Sequence, residues 1–596
     1  MYDYKAPLKE MQFVVEELAE LAALTELPGY EEANDDLVEA ILEQAGKFAE
    51  EVIAPLNQPG DVHGTFIENG QVVSPPGFKD AFKQFSDNGW LSIKQPIEFD
   101  GQGLPNLLHS AVTEIWNSSN ISLALCPLLT SGAIESIDAH ASDALKQKYL
   151  SKMISGQWTG TMNLTESHAG TDLAAIRTRA ERDGENYRIS GQKIYITWGE
   201  HEMTENIVHL VLARLPDAPE GVKGISLFLV PKFLVNSDGS LGDRNDLKVV
   251  SLEHKLGIHA SPTCVMSYGD NEGAVGYLIG EENNGLACMF TMMNNARHEV
   301  GMQGVGLSER AYQAALAYAQ ERVQGYAHGS NDRATIIHHP DVRRILMQMR
   351  ALSEASRAFG YVTASMTDLA NRSVLDDDRS RYQRRLDLYI PIVKSWCSEM
   401  SQEVTYLGVQ VHGGMGFVEE TGVAQYMRDA RILTIYEGTT GIQALDLMGR
   451  KMWRDQGQGM DELIADMESF KNTMPSDTDA LNRIRREFGR SLVGLKETTQ
   501  WFLAEANDDP YLSGSIGVNY MMQVGNVIAG WLMARSAVLA QQHINAGVND
   551  VFYSNKITTA LFFAEHILPR SEALKITVQA GSDSVMGIGV DAFKIH

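Results

Sequence analysis

Apolar positions recur with a helical period from about residue 36 to 160, as at Leu37, Ile41, Phe48 and Val52. Pro75-Pro76-Gly77 and Gly101-Gln102-Gly103 break that pattern and predict loops. From 161 to about 280 the period shortens to two, and Tyr187 to Ile196, Ile207 to Leu215 and Gly224 to Pro231 read as strands. Long helical patterns return over 281–452. After Asp455-Gln456-Gly457-Gln458-Gly459, which reads as a linker, residues 460–596 are helical again. The first 35 residues form an acidic lead-in. The pattern therefore predicts a mainly α chain with a small β domain. Its parts are an N-terminal extension (1–35), a helical domain (36–160), a β domain (161–280), a helical domain (281–452) and a helical C-terminal extension (460–596).

Composition narrows the class. A chain of 596 residues with 44% hydrophobic content can bury several cores. Lys+Arg 50 against Asp+Glu 77 gives a net charge of −27, which argues against a nucleic-acid or anionic-membrane partner. Anionic ligands must then be met by local Arg, Lys and backbone donors. Cys126, Cys264, Cys288 and Cys397 lie far apart, without Cys-x-x-Cys spacing, and read as buried free thiols. Met1-Tyr2-Asp3-Tyr4-Lys5 lacks the pattern of a signal peptide. The apolar stretch Val524 to Ala540 is interrupted by Asn526 and Arg535 and reads as a buried helix. Phe593-Lys594-Ile595-His596 is not a peroxisomal address, so the expectation is a cytoplasmic protein.

Three segments carry candidate chemistry. In Tyr436-Glu437-Gly438-Thr439-Thr440-Gly441 an apolar lead-in meets a Gly-Thr-Thr-Gly turn with a carboxylate at its mouth. A carboxylate held away from bulk water gains the proton affinity a general base needs. Thr161-Met162-Asn163-Leu164-Thr165-Glu166-Ser167-His168-Ala169-Gly170-Thr171-Asp172 runs from a strand-like start into a loop of hydroxyls and backbone N–H groups suited to phosphate oxygens. In Gly191-Gln192-Lys193-Ile194-Tyr195-Ile196-Thr197-Trp198-Gly199, alternation puts Tyr195 and Thr197 on one strand face, a flat ring beside a hydroxyl.

Other features read structurally. Gly301, Gly304 and Gly306 lie inside a helical pattern, each costing about 1 kcal/mol relative to Ala, and imply close approach of a neighbouring helix or a ligand. His298 and His412 have no second ligand at i+3 or i+4, so no metal is expected. His338-His339-Pro340 reads as a helix entry, and Asp376-Asp377-Asp378-Arg379-Ser380-Arg381 as a solvated loop.

Together the Thr165–Asp172 loop, the Tyr195-Ile196-Thr197 strand and Tyr436-Glu437-Gly438-Thr439 resemble, in order and spacing, the acyl-CoA dehydrogenase flavoprotein family. The resemblance covers about residues 36–450 and implies an N-terminal helical domain, a β-barrel-like middle domain and a C-terminal four-helix bundle. The two extensions are similar to a branch that includes 3-methylmercaptopropionyl-CoA dehydrogenases. The family's chemistry would make Glu437 the base in α,β-dehydrogenation of an acyl-CoA with FAD as cofactor. Met162, Leu164 and Thr165 would line the flavin, Tyr195 would cover it, and Thr197 would hydrogen-bond its N5. Gly170 and Thr171 would reach ligand phosphates, with Thr171 also on the substrate side. Arg322 matches the pyrophosphate-binding Arg. Gln410, Gly413 and Gly414 match a turn that meets FAD from a neighbouring subunit, and Thr439 is a further cofactor contact. Asn294, Arg297 and Gly438 take substrate positions, with Asn294 standing where the family has Asp. Ala296 occupies the place where some members carry their base, which points back to Glu437.

The resemblance also implies electron-transfer flavoprotein as the electron partner and a homodimer whose extension covers a tetramer-forming face. Leu492, Leu495, Trp501, Phe502, Trp531 and Leu532 are the extension's apolar positions in need of a surface. Two alternatives share the scaffold: an acyl-CoA oxidase passing electrons to oxygen, and a DNA-associated flavoprotein. The second wants a basic C-terminal face, whereas residues 460–596 hold more acids than bases. Acyl chain length and branching are not legible in the pattern.

Overall fold

The computed structural model describes residues 3–329 and 331–594. It divides into two units, one of residues 44–109 with 115–299, the other of residues 1–43, 110–114 and 300–596.

The first unit is built on an eight-stranded sheet. Its strand order is Leu247–Leu252, Thr263–Tyr268, Asn186–Thr197, Ala274–Ile279, Ser226–Pro231, Asn206–Ala213 and Trp158–Asn163, with Arg179–Asp183 also paired to Asn186–Thr197. Only Trp158–Asn163 and Asn206–Ala213 run parallel. Strand periodicity sends Leu210, Leu212, Leu227 and Leu229 into one core with Leu150, Met153 and Met292. The alternate residues Val211, Phe228 and Val230 enter a second core with Cys264, Met266 and Tyr268. Because both faces are covered, Asn206–Ala213 and Ser226–Pro231 are buried along their whole length. Beyond Trp158–Asn163 the chain returns to Asn186–Thr197, where the Ile194 N–H donates to Thr165 O at 2.9 Å. The sheet thus curls back on itself.

A hairpin of Phe66–Glu68 and Gln71–Val73 interrupts the first helical stretch. Its Asn69-Gly70 turn has both φ values positive, 50° and 77°, as a two-residue type I′ hairpin requires. Helix Asn106–His140 is long and apolar enough to cross a membrane, but 94% of its apolar window is buried inside the protein.

In the second unit three long helices, Gly285–Glu321 (from Val300 onward), Pro340–Arg372 and Asp376–His412, form a bundle. The expected fourth helix is segmented into Val423–Ala430, Arg431–Thr434, Thr440–Leu445 and Asp446–Met452. Gly301 and Gly304 explain themselves here: a Cβ on them would lie 3.1 Å from Val393 O and 2.6 Å from Cys397 O. They let one helix backbone rest on another. His339 stands at the N-cap position of helix Pro340–Arg372, with Pro340 in its first turn, the helix entry that the sequence predicts.

One expectation is corrected. Asp376–Arg381 is the first turn and a half of helix Asp376–His412 and not a loop, since three carboxylates suit the positive end of a helix dipole. Asp455–Gly459, the expected linker, is a braced turn entering helix Gln458–Thr473. Asp455 carboxylate oxygens accept from the Gly457 and Gly459 N–H groups, and Gly457 sits against Leu503.

Helices Asp479–Glu505, Leu512–Asn545, Val551–Phe562 and Arg570–Gln579 build the C-terminal extension. Leu492, Leu495, Phe502, Trp531 and Leu532 are buried and Trp501 is half-buried, so most of the extension's apolar positions find their partner surface within this chain. Asn526, which breaks the apolar run, accepts from the Trp396 indole N–H at 2.9 Å. All four cysteines are free and buried.

Candidate active site

The Tyr436–Thr440 turn is anchored residue by residue. Glu437 and Gly438 are both left-handed, with φ of 55° and 87°. A non-glycine residue there is strained and persists only where its surroundings fix it. The Tyr436 hydroxyl donates to Gln303, which is fully buried. Burial pushes the Tyr436 phenol up, and the neighbouring Glu437 carboxylate adds to it. The Gln443 amide donates to Glu437 O at 2.9 Å, and the Lys394 ammonium to Gly438 O at 2.7 Å. Thr439 caps the following helix by accepting from the Ile442 N–H at 3.3 Å. The Thr440 hydroxyl donates to Glu399 at 2.6 Å. Glu437 itself is half-buried.

In the other unit the structure brings Leu164 and Thr165 against Lys193 and Ile194. The Lys193 ammonium donates to Leu164 O and to a Glu166 carboxylate oxygen, both at 2.9 Å. Glu166 also accepts from the Arg177 N–H, the Thr178 N–H and the Thr178 hydroxyl. Burial raises the Glu166 carboxyl, but Lys193 and these donors outweigh it and hold the group below its usual range. Burial wins at Lys193, which is pushed down to about 8 against the opposing pull of Glu166.

Tyr195 is exposed and Thr197 half-buried on either side of buried Ile196, and a bulge lies at the start of this stretch. Lys193 pairs with Met266 and Ile196 with Cys264, so Ile194 and Tyr195 together oppose Val265 in a bulge. Tyr195 has φ 61° and is 60% exposed. Thr197 is half-buried, and Met162, Leu164 and Thr165 are partly exposed beside exposed Gly170 and Thr171. These groups fit a flat ring system: a free aromatic face, a reachable hydroxyl, and a loop where a Gly170 Cβ would meet only Thr165, at 3.9 Å.

Of the remaining candidates, Asn294 is exposed, while Arg297 and Ala296 are buried on the same helix. Arg322 is exposed just past helix Gly285–Glu321. Gln410, Gly413 and Gly414 are exposed at the end of helix Asp376–His412. The two helix ends meet, because the Tyr318 ring stacks on His412 at 4.3 Å.

Sequence reasoning missed Glu166, Lys193, Lys394 and Glu399. Lys394 was discoverable: it is the lone charge in Ile390-Pro391-Ile392-Val393-Lys394-Ser395-Trp396-Cys397. It also missed a cavity of about 820 Å³ lined by Asp172, Arg177, Arg179 and Arg214. Arg214 spends its donors on Ala174, Ile176, Pro219 and Gly221 carbonyls. Arg177 and Arg179 are exposed.

Comparison with known proteins gives the class, an oxidoreductase of the CH–CH type. Family models match the acyl-CoA dehydrogenase N-terminal domain over 35–157, the middle domain over 161–270, the C-terminal domain over 283–452, and an acetyl-CoA dehydrogenase C-terminal-like domain over 461–589. The chain belongs to the acyl-CoA dehydrogenase family. It is 46% identical over 586 residues to 3-methylmercaptopropionyl-CoA dehydrogenase of Ruegeria pomeroyi, spanning 98% of this chain and 99% of that one. A butyryl-CoA dehydrogenase of Syntrophomonas wolfei is 32% identical over 611 residues, spanning 99% of each. The fold matches that of Caenorhabditis elegans ACDH-11 in complex with C11-CoA, with a TM-score of 0.79 and 19% identity over 100% of this chain and 97% of that one.

Proposed function

We propose that this acyl-CoA dehydrogenase removes two hydrogens across Cα–Cβ of an acyl-CoA thioester, giving the trans-2-enoyl-CoA, with Glu437 as the base. The observation that carries the assignment is the braced left-handed turn at Glu437, together with a buried Ala296 at the alternative position. The Glu437 carboxylate would take the α-proton, and its own backbone N–H would donate to the thioester carbonyl as charge develops there. FAD, when bound, accepts the β-hydride. Tyr195 would cover its ring, Thr197 would donate to it, and Arg322 would meet its pyrophosphate. Arg177 and Arg179 supply positive charge suited to the nucleotide end of CoA.

The relative at 46% identity makes 3-methylmercaptopropionyl-CoA the leading substrate, ahead of straight-chain acyl-CoAs. Anaerobic titration of the flavin with a panel of acyl-CoAs tests that order, and bleaching by straight chains alone would reverse it. Electrons pass to an electron-transfer flavoprotein; rapid reoxidation by air would instead mark an oxidase. Glu437→Gln should keep FAD and bind acyl-CoA while losing flavin reduction by roughly two to four orders of magnitude. Near-native bleaching would remove Glu437 from the role.

The assembly we propose is a cytoplasmic homodimer. The exposure of the Gln410–Gly414 turn and of Arg322 supports it, since these groups would reach a second copy's cofactor. Light scattering at a mass near four chains would contradict the dimer.

A further inference from the structure

We propose that Lys394 is a positioning residue of the dehydrogenation: its ammonium, seated on Gly438 O, holds the turn in the one backbone state that aims Glu437. This rests on the reading of Glu437 as the base.

Lys394 has no exposed surface, and an ammonium is among the costliest groups to bury. It lies on helix Asp376–His412 at the crossing where Gly301 and Gly304 admit another helix backbone against Val393 and Cys397. From there it donates to Gly438 O at 2.7 Å. That carbonyl belongs to the peptide that follows the base by one residue.

The turn needs such a lock. Two successive left-handed residues match the central pair of a type I′ turn, but glycine at the second position also reaches other states at little cost. Gln443 fixes the peptide between Glu437 and Gly438, and Lys394 fixes the next one. Glu399 on the same helix receives the Thr440 hydroxyl, and the Gln402 amide donates to Ala430 O at 2.6 Å. One helix therefore braces the segment before, within and after the base. A carboxylate misplaced by about 1 Å can lose about a hundredfold in rate, because proton abstraction needs a near-attack geometry.

The test is stopped-flow reduction of the holoenzyme flavin by acyl-CoA, with substrate Kd and FAD content measured beside it. Lys394→Met keeps the chain length and removes the charge, while Lys394→Gln keeps a neutral donor. We expect Lys394→Met to slow reduction by about ten- to a hundredfold with Kd changed less than threefold, and Lys394→Gln to fall between it and the native enzyme. Native rates in Lys394→Met overturn the inference. So does loss of FAD or of substrate binding in step with rate in both variants, which is the signature of a merely structural lysine. Glu437→Gln runs as control. If it still reduces flavin at near-native rate, the base assignment fails first; if it is inactive while Lys394→Met is native, only the role of Lys394 falls.

Discussion

Two buried lysines brace two strained stretches of this chain, and they do so differently. Lys193 and Lys394 both have no exposed surface. Near Lys193, Tyr195 and Trp198 are left-handed, with φ of 61° and 53°; near Lys394, it is Glu437 and Gly438. Lys193 meets a carboxylate, Glu166, as well as Leu164 O. Lys394 reaches past its own helix to a backbone carbonyl beside the proposed base. The first arrangement ties a loop to a strand, and its disturbance should appear as lost stability and lost cofactor. The second ties one peptide plane, and its disturbance should appear in rate. A buried charge therefore says little by itself about role; what it is bonded to decides.

The largest effect expected from breaking the Lys193 side is Glu166→Ala. It leaves an ammonium buried without its carboxylate and frees the donors of Arg177 and Thr178. Breaking a buried pair from one side costs about 3–5 kcal/mol. Urea unfolding should show the loss, and purified variant should carry less FAD per chain. A variant with native midpoint and full flavin would erase the contrast between the two lysines.

The distinction was only partly visible in the chain. The change from period 3.6 to period two located the sheet, because both periods come directly from backbone geometry. The same logic did not foresee the bulge at Ile194 and Tyr195, where one extra residue shifts the register without any change in residue pattern. Asp376–Asp378 looked like a loop since local charge density outweighed the helix-dipole argument that favours acids in a first turn. Asn69-Gly70 was a legible hairpin signal that the surrounding helical period masked. The Glu437 turn announced itself through Gly438-Thr439-Thr440-Gly441. Its braces, Gln303, Lys394 and Glu399, did not, because each comes from a helix distant in sequence. Long-range partners leave no local trace beyond a polar residue in an apolar run.

A pH series sharpens the comparison with a smaller effect. Burial lowers Lys193 from 10.5 to about 8, with Glu166 pulling the other way. Between those values the unfolded chain binds more protons than the folded one, so this group's contribution to stability rises with pH. The penalty is fully present below about pH 8 and relieved by about 10.5. Native protein should therefore gain on Lys193→Met across that window in urea midpoint. Parallel curves for the two proteins would mean that Lys193 keeps an ordinary affinity for its proton.

The smallest effect belongs to Thr197, which closes the strand that Lys193 anchors. Its neighbour Trp198 is pinned in the left-handed state from two sides. The backbone N–H of Trp198 donates to Pro262 O at 2.8 Å, and its indole N–H donates to Ser122 O at 3.1 Å. The backbone around Thr197 is thus set by other residues, and its half-buried hydroxyl has no hydrogen-bond partner among the described residues. Thr197→Val keeps the shape and deletes one donor, a change worth about 1 kcal/mol. Flavin reduction should slow about fivefold, while FAD content and urea midpoint stay native. That outcome would separate Thr197 from its own brace: the strand is held by Lys193 and Trp198, and the hydroxyl acts only on what binds there. Loss of flavin in Thr197→Val would instead place the residue with Glu166 and Lys193 in the scaffold.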